Sequence, residues 1–329
     1  MSVSSQSLAD YARLTPDLVI SAIESTGRLS DARVFALNSY ENRVYQVGIE
    51  DELPLVAKFY RPQRWSDAQI REEHAYTRAL AAAELPVIAP LADAAGETLF
   101  SFEDYRFALF LRKGGQGLEA GDHDQLYRVG MLLGRMHAVS RLQPFTARPA
   151  LSIERFLDAP ARQVRSLLPE HLSQRYERAI ASLRERIAAS GLASFPTIRT
   201  QGDCHPGNIL WTRDDGPWLL DFDDCQSAPA VQDLWMLLCG ERHEQELQLA
   251  EVLDGYQSFC DFDTREIGLI EALRSLRMIH YAGWLAMRWE DPAFPAAFPW
   301  FATPAYWQEH VGELEIQVER MGEPPLRLF

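Results

Sequence analysis

A carboxylate, a side-chain amide five residues on, and a second carboxylate beyond a short apolar run stand close together in the C-terminal half of the chain. They lie in Gln201-Gly202-Asp203-Cys204-His205-Pro206-Gly207-Asn208 and in Trp218-Leu219-Leu220-Asp221-Phe222-Asp223-Asp224. Phosphoryl transfer from a metal-bound nucleotide needs that set. One carboxylate orients and deprotonates the attacking hydroxyl, while an amide oxygen and a second carboxylate hold the magnesium that bridges the phosphates. The order Asp-x-x-x-x-Asn, strand, Asp is also that of kinase-like catalytic loops. Asp203 is the candidate base, and Asn208 and Asp221 are the candidate Mg2+ ligands, Asp221 counting also among the catalytic residues. Magnesium takes few carboxylates and fills its shell with phosphate oxygens and water, which suits this pair once nucleotide is bound. Pro206-Gly207 bends the loop so that Asp203 and Asn208 can face one cavity. By alternation Asp223 points the same way as Asp221 and adds a looser contact. A DxD after a strand also suits the nucleophile of an aspartate-based phosphatase, but Asp203 and Asn208 would then have no role.

The second group of candidates lies in the N-terminal third. Lys58, in the strand-like Val56-Ala57-Lys58-Phe59, precedes Glu73 by fifteen residues. A strand lysine paired with a glutamate of the following helix is how kinase-like folds hold the α- and β-phosphates of ATP. Register with Leu80 favours Glu73 over Glu72. Asn38-Ser39-Tyr40-Glu41-Asn42-Arg43 occupies the turn where a glycine-rich phosphate cover would lie, yet it contains no glycine. Ser39 can still meet a phosphate oxygen through its N–H or hydroxyl, and Arg43 can screen phosphate charge; a plain polar hairpin turn explains the segment equally well. His205 reads as a hydrogen-bonded group of a tight loop rather than as the base. Asp233, polar in a mostly apolar helical stretch, suits a role holding the Asp203 loop by its backbone, and a place on a solvated helix face explains it equally well. The aromatic residues Trp284, Trp289, Phe294, Phe298, Trp300 and Phe301 read chiefly as core, and secondarily as the lining of an acceptor groove.

The elements that must position these residues can be read from caps and periodicity. Thr15-Pro16 starts a helix over 15–25 that Gly27 stops. Strands over 44–47 and 55–60 form a hairpin across Glu50-Asp51-Glu52. Ser66-x-x-Gln69 is a capping box opening a helix to about residue 83. A second strand pair, 99–102 and 105–111, turns at Glu103-Asp104. After Lys113-Gly114-Gly115 the pattern becomes helical: from Asp122, from 152, from 172, then 229–239, 241–260, 263–290 and about 304–321. Only 209–211 and 218–220 read as strands there. The expected fold is α+β and bilobal, of protein-kinase-like architecture. Residues 1–112 form a small antiparallel β-sheet lobe with one helix, and residues 113–329 a larger, mainly helical lobe, with the hinge at Gly114 and Gly115.

Composition narrows the function classes. The 329 residues include 32 basic and 47 acidic side chains, a net charge of −15. That balance argues against nucleic-acid and anionic-membrane partners, and it requires any polyphosphate site to assemble its own positive charge. Cys204, Cys225, Cys239 and Cys260 form no CxxC pair, so no zinc or iron–sulfur site is expected and the thiols read as reduced. No apolar run reaches membrane-spanning length, and the first ten residues lack the basic start and apolar core of a signal peptide. The expected location is the cytoplasm.

Taken together these residues resemble the aminoglycoside phosphotransferase and choline kinase superfamily of protein-kinase-like enzymes, and more closely the bacterial stress response kinase A family. The likeness rests on Asn38-Ser39-Tyr40-Glu41-Asn42-Arg43-Val44-Tyr45, Lys58-Phe59-Tyr60-Arg61-Pro62, Gly202-Asp203-Cys204-His205, and Gly207-Asn208-Ile209-Leu210-Trp211. It continues through Val231-Gln232-Asp233-Leu234-Trp235-Met236-Leu237-Leu238, the stretch from Asp263-Thr264 to Ile270-Glu271, and Asp291-Pro292-Ala293-Phe294-Pro295, nearly the whole chain. The resemblance implies a cytoplasmic, monomeric, ATP-dependent Ser/Thr protein kinase linked to stress survival; the expected partners are ATP and a Ser/Thr protein acceptor, for which the chain itself is one candidate. It makes Asp203 the proton acceptor, Asn208 and Asp221 the Mg2+ ligands, and Lys58 and Ser39 contacts to ATP. One departure is Gln201, where kinase-like loops usually carry His. Two other functions fit the local motifs: a kinase of small hydroxylated molecules, and a nucleotide-binding scaffold without turnover.

Overall fold

Apolar residues at every second position of 55–59 give that run one core face and one face that carries Lys58. In the computed structural model, which describes residue 11 and residues 13–328, the run is strand β3 (Leu55–Phe59) of a five-stranded antiparallel sheet. The sheet order is β1 (Ser30–Leu37), β2 (Arg43–Ile49), β3, β5 (Tyr105–Leu111) and β4 (Phe100–Phe102). In register, Val44 on β2 and Ala108 on β5 flank Lys58. Leu55, Ala57 and Phe59 face the other way and join Val19 and Ile23 of helix α1 (Pro16–Glu24) in one apolar core. Over the Lys58 face lies helix α2 (Asp67–Ala82), whose Ile70 clusters with Tyr60, Trp65, Leu99 and Ala108.

The expected caps are present. The Thr15 side chain accepts the Leu18 N–H at the start of α1, and Ser66 with Gln69 closes the capping box of α2. Strand β1 is an addition to the expected sheet. Ser30-Asp31-Ala32-Arg33 has no apolar alternation, its register slips between Ser30 and Val34, and Ala32 takes φ 64°. Such an irregular edge strand leaves no period-2 signal in the sequence.

Two compact units make up the chain. One holds the described residues up to 118 together with 146–148 and 207–224; the other holds 119–145, 149–206 and the described residues from 225 onward. The expected division fell after residue 112 and kept 207–224 with the helical part. Here β8 (Ile209–Thr212) and β9 (Gly216–Leu219) form a hairpin that extends through β6 (Gln116–Gly117). Leu219 also donates to the Pro86 carbonyl at 2.9 Å and accepts from the Ile88 N–H at 3.1 Å. These main-chain bonds tie the hairpin to the sheet-bearing unit.

The second unit contains α3 (His123–Ser140), α4 (Ala159–Val164), α5 (Ser173–Ala189), α6 (Arg242–Gln257), α7 (Ile270–Met287), α8 (Ala293–Ala297) and α9 (Pro304–Arg320). Leu157, Leu183, Ile279, Leu285, Phe294, Phe301 and Trp307 are in its main core. Helices α3 and α6 touch backbone to backbone: a Cβ on Gly130 would sit 2.1 Å from the Val252 carbonyl oxygen, and one on Gly134 would sit 2.3 Å from that of Tyr256. Within this unit the sequence expectations need three corrections. The expected helix over 229–239 is two 3-10 turns, Ala230–Asp233 and Trp235–Leu237, because Glu266 takes the Val231 N–H at 2.8 Å and Asp233 is drawn to the 201–202 backbone. The expected helix from 152 opens with a wide π turn, Glu154–Asp158, ahead of Pro160, which has no N–H to continue a regular ladder. The helix expected over 263–290 begins as a 3-10 segment, Thr264–Leu269, before α7. Strands β7 (Ile198–Thr200) and β10 (Gln226–Ala228) also pair, at three residues each too short to be read from periodicity. Cys204, Cys225 and Cys260 are buried and Cys239 is exposed, all four as free thiols. Among the described residues no helix is long and apolar enough to cross a membrane.

Candidate active site

Within the sheet-bearing unit, Ser39, Lys58, Glu73, Asn208 and Asp221 line one cavity of about 450 Å³. Its apolar walls include Val44, Val56, Ile88 and Leu210. Five side chains singled out from separate stretches of sequence thus meet in one place. Lys58 enters from β3, Glu73 from the inner face of α2, Asn208 from the 3-10 turn just before β8, and Asp221 from just beyond β9. The Leu220 N–H donates to the Asn208 carbonyl at 2.9 Å, which joins the backbone of Asn208 to the residue before Asp221.

Lys58 is the electrostatic centre. Its Nζ is 3.0 Å from Asp223 Oδ1, 3.1 Å from Asp221 Oδ1 and 3.8 Å from Glu73 Oε1, and it lies over the Tyr60 ring at 5.3 Å. Burial alone would depress its pKa; Asp221, Asp223 and Glu73 outweigh that and hold the ammonium well above the ordinary lysine value. Glu73 responds in the opposite sense. Burial pushes its carboxyl up to about 7, against the pull of Lys58. Glu72 faces away from Lys58 and accepts the backbone N–H groups of residues 146–148.

Asp223 differs from the loose second contact that alternation led us to expect. It is buried, its Oδ2 meets Arg64 Nη1 and accepts from Asn42 Nδ2 at 3.2 Å, and its backbone carbonyl accepts from Arg148 Nη2. Burial would raise its carboxyl, but Arg64, Lys58 and Arg148 hold it far below the usual range. Asp221 keeps its side chain 55% exposed and has φ 46°, a left-handed backbone that turns the carboxylate out of the strand direction. Asn42 Oδ1 accepts the Arg61 N–H at 3.1 Å, and Arg61 Nε donates to the Glu41 carbonyl at 2.8 Å. The glycine-free turn is therefore held by side chains instead of by backbone freedom. Among the described residues no three His, Cys, Asp or Glu side chains form a self-sufficient metal cage. One accessible carboxylate and one amide fit an ion that takes its other ligands from phosphate and water.

Asp203 belongs to the helical unit. The loop that bears it is fixed from beneath by Asp233, whose Oδ2 accepts the Gln201 N–H at 2.7 Å and whose Oδ1 accepts the Gly202 N–H at 2.8 Å. His137 on α3 bridges Asp233 and the Tyr256 hydroxyl, 3.0 Å to each. Gln201, in the place usual for His, accepts the Asp203 N–H at 2.8 Å, and Gln232 Nε2 donates to the Gly202 carbonyl at 2.8 Å. Gly202 takes φ 89°, which only glycine adopts without strain. The Asp203 carboxylate meets Arg277 Nη1 of α7 and lies 3.4 Å from His205 Nε2. Burial would raise its pKa, but His205 and Arg277 keep it low, so it is an anion near neutral pH. His137, Arg277, Arg64 and Arg148 were not singled out from sequence. Each pairs across a separation no local pattern encodes, and the one signal is a histidine on the apolar stripe of α3.

Residues 33–270 match the model of the phosphotransferase enzyme family. The serine/threonine protein kinase RdoA of Salmonella typhimurium is 44% identical over 97% of this chain and 97% of its own length. Stress response kinase A of Escherichia coli is 43% identical, also over 97% of each chain. Among solved structures, the amicoumacin kinase hAmiN in complex with AMP-PNP and Ca2+ superposes with a TM-score of 0.75 at 16% identity, covering 98% of this chain and 97% of that one. A microcompartment-associated aminopropanol kinase does so with a TM-score of 0.70 at 17% identity, over 95% and 100%. At such identities these two likenesses concern the fold.

Proposed function

Because the chain belongs to the stress response kinase A family of the phosphotransferase enzymes, we propose that it transfers the γ-phosphoryl group of ATP, with Mg2+, to Ser or Thr hydroxyls of a protein during stress. The acceptor includes a second copy of the chain itself, and the enzyme acts as a cytoplasmic monomer. The observation that carries this reading is the Lys58 cluster: a buried cation held by Glu73 and Asp221 in a cavity that Ser39 and Asn208 also line.

In this reading Lys58 binds the α- and β-phosphates, and Glu73 keeps its ammonium aimed at them. Ser39 donates to a phosphate oxygen. Asn208 and Asp221 would hold Mg2+, which supplies charge neutralisation along the phosphates when bound. Asp203 accepts the hydrogen bond of the acceptor hydroxyl and takes its proton as the new O–P bond forms; the bond from Pγ to the leaving ADP oxygen breaks. The low pKa of Asp203 makes it a positioning base that receives the proton late, as suits a loose transition state. Asp233, through the Gln201 and Gly202 backbone, keeps the loop in its conformation.

The test is phosphate incorporation from γ-labelled ATP with magnesium, comparing the natural chain with Asp203→Asn, alone and with a generic protein acceptor. The expected result is protein label that falls by 10²-fold or more in the variant, in line with general-base losses, while ATP affinity stays near its starting value. Equal loss of transfer and ATP binding would remove Asp203 from this role. Label in a panel of hydroxylated metabolites, with none on protein, would make the enzyme a small-molecule kinase. ATP binding without turnover would make it a scaffold.

A further inference from the structure

Glu72, next to the glutamate that faces Lys58, accepts four hydrogen bonds from the three-residue stretch 146–148. Its Oε1 accepts the Thr146 N–H at 2.6 Å and the Thr146 hydroxyl at 2.7 Å; its Oε2 accepts the Ala147 N–H at 2.8 Å and the Arg148 N–H at 2.6 Å. One turn earlier on α2, Gln69 Nε2 donates to the Ala147 carbonyl at 3.2 Å. A carboxylate that takes three successive backbone N–H groups is an anion in a main-chain nest, and these charge-assisted bonds are the strong kind. Burial raises the Glu72 carboxyl, but the N–H groups of Arg148, Thr146 and Ala147 and the Thr146 hydroxyl outweigh it and hold the pKa low.

Residues 146–148 belong to the sheet-bearing unit although the chain on either side of them does not. The far end of this short strap is Arg148, whose side chain is fully buried. Its guanidinium lies 4.0 Å from the centre of the Trp65 ring, Nη2 donates to the Asp223 carbonyl, and Nη1 is 3.8 Å from Glu73 Oε2. One three-residue strap is thus bound to α2 through Glu72, and to both Glu73 and the 221–224 loop through Arg148. The planar fork of arginine can serve two such partners at once, which a lysine ammonium on a flexible stem cannot do with the same geometry.

We infer that Glu72 and Arg148 are positioning residues for phosphoryl transfer, forming a strut through residues 146–148 that fixes Glu73 of α2 and the 221–224 loop in register around Lys58. Neither touches the reacting atoms. The inference rests on the reading of the Lys58 cavity as the nucleotide site.

The experiment uses the full chain and measures kcat and KM for ATP and for the protein acceptor in Glu72→Ala, Arg148→Met, the double variant and Lys58→Met. Thermal melts check folding. Each single strut variant is expected to lower kcat/KM for ATP tenfold or more and to leave KM for the acceptor within twofold. The double variant is expected to be no worse than the poorer single, because either change breaks the same strut. Arg148→Lys should fail to restore the rate. Should Glu72→Ala melt below the assay temperature, Glu72→Gln, which keeps one acceptor oxygen, must show the same split between ATP and acceptor. Independent multiplication of the two losses, full recovery in Arg148→Lys, or unchanged kcat/KM for ATP would overturn the strut. Lys58→Met separates the two layers. If it is inactive while the strut variants are normal, only the strut fails; if it remains active, the nucleotide-site reading fails, and the strut with it.

Discussion

At the scale of single residues, the site is governed by how few cations must serve many carboxylates. Lys58 faces Glu73, Asp221 and Asp223, while Arg64 and Arg148 take up part of the charge of Asp223. Glu73 is the least compensated member, which is why burial lifts its carboxyl to about 7. Its anion, and so its full pull on Lys58, is present above that value and fades as pH falls through it. The expected outcome is a kcat/KM for ATP with an acid limb near pH 7 that Glu73→Gln abolishes along with most of the rate; a pH profile of the two proteins checks this. The linkage to stability has the opposite sense. Folded Glu73 binds a proton more tightly than the unfolded side chain, so from pH 7 down toward 4.5 this group favours the folded state as pH falls. Asp223, held far below its ordinary value, contributes stability that is present above about 3.8 and lost only in stronger acid.

At the scale of elements, helix packing sets the loop that bears Asp203. His137, which meets Asp233, sits on α3 less than one turn beyond Gly134, where α3 and α6 approach too closely for any side chain. Gly134→Ala would place its Cβ 2.3 Å from the Tyr256 carbonyl oxygen and force the helices apart. We expect it to cost about 1–3 kcal/mol, in the range of overpacked cores, and to lower kcat more than KM because His137 and Tyr256 move with the helices. Chemical denaturation and steady-state kinetics on one preparation measure both. Much at this scale was legible in advance: the Thr15 and Ser66 caps, and strands β2, β3 and β5 with their apolar alternation. What escaped were segments whose shape depends on distant partners. The residues of 230–237 have helical periodicity, yet Glu266 and Asp233 draw their backbone into 3-10 turns. Strand β1 is an edge strand with a register slip, and its apolar residues run consecutively over Val34-Phe35-Ala36-Leu37 instead of alternating.

At the scale of the whole molecule, a chain with net charge −15 must hold a polyanion by local arrangement rather than by its overall field. The cavity achieves this only in part, since Lys58 already faces three acids, so a divalent cation arriving with the nucleotide would relieve the excess negative charge. The corresponding expectation is thermal. ATP with Mg2+ at a hundred times its dissociation constant should stabilise the protein by about 2.7 kcal/mol through binding to the folded state alone. Chelation with EDTA should remove most of that shift, and Asp221→Ala should show little of it. A melt series with ATP, ATP plus Mg2+, and ATP plus EDTA tests this; an identical shift in all three would remove Asp221 and Asn208 from a metal role.

The sequence by itself determined the residue types that bear chemistry and their order along the chain. Asp203, Asn208 and Asp221 lie in one short segment, and Lys58 and Glu73 are linked by a capped helix, so local spacing was enough to single them out. It also determined the sheet strands that carry them, because side-chain alternation is a property of neighbouring residues. Only the tertiary structure decided which charges neighbour which. It tied the Glu72 carboxylate to the backbone of residues 146–148, buried Asp223 between Lys58 and Arg64, and brought Arg277 to Asp203. Those pairings join residues up to 165 positions apart, the span from Lys58 to Asp223. They are set by helix packing, a left-handed turn at Asp221 and a three-residue strap, none of which leaves a periodic trace in the chain.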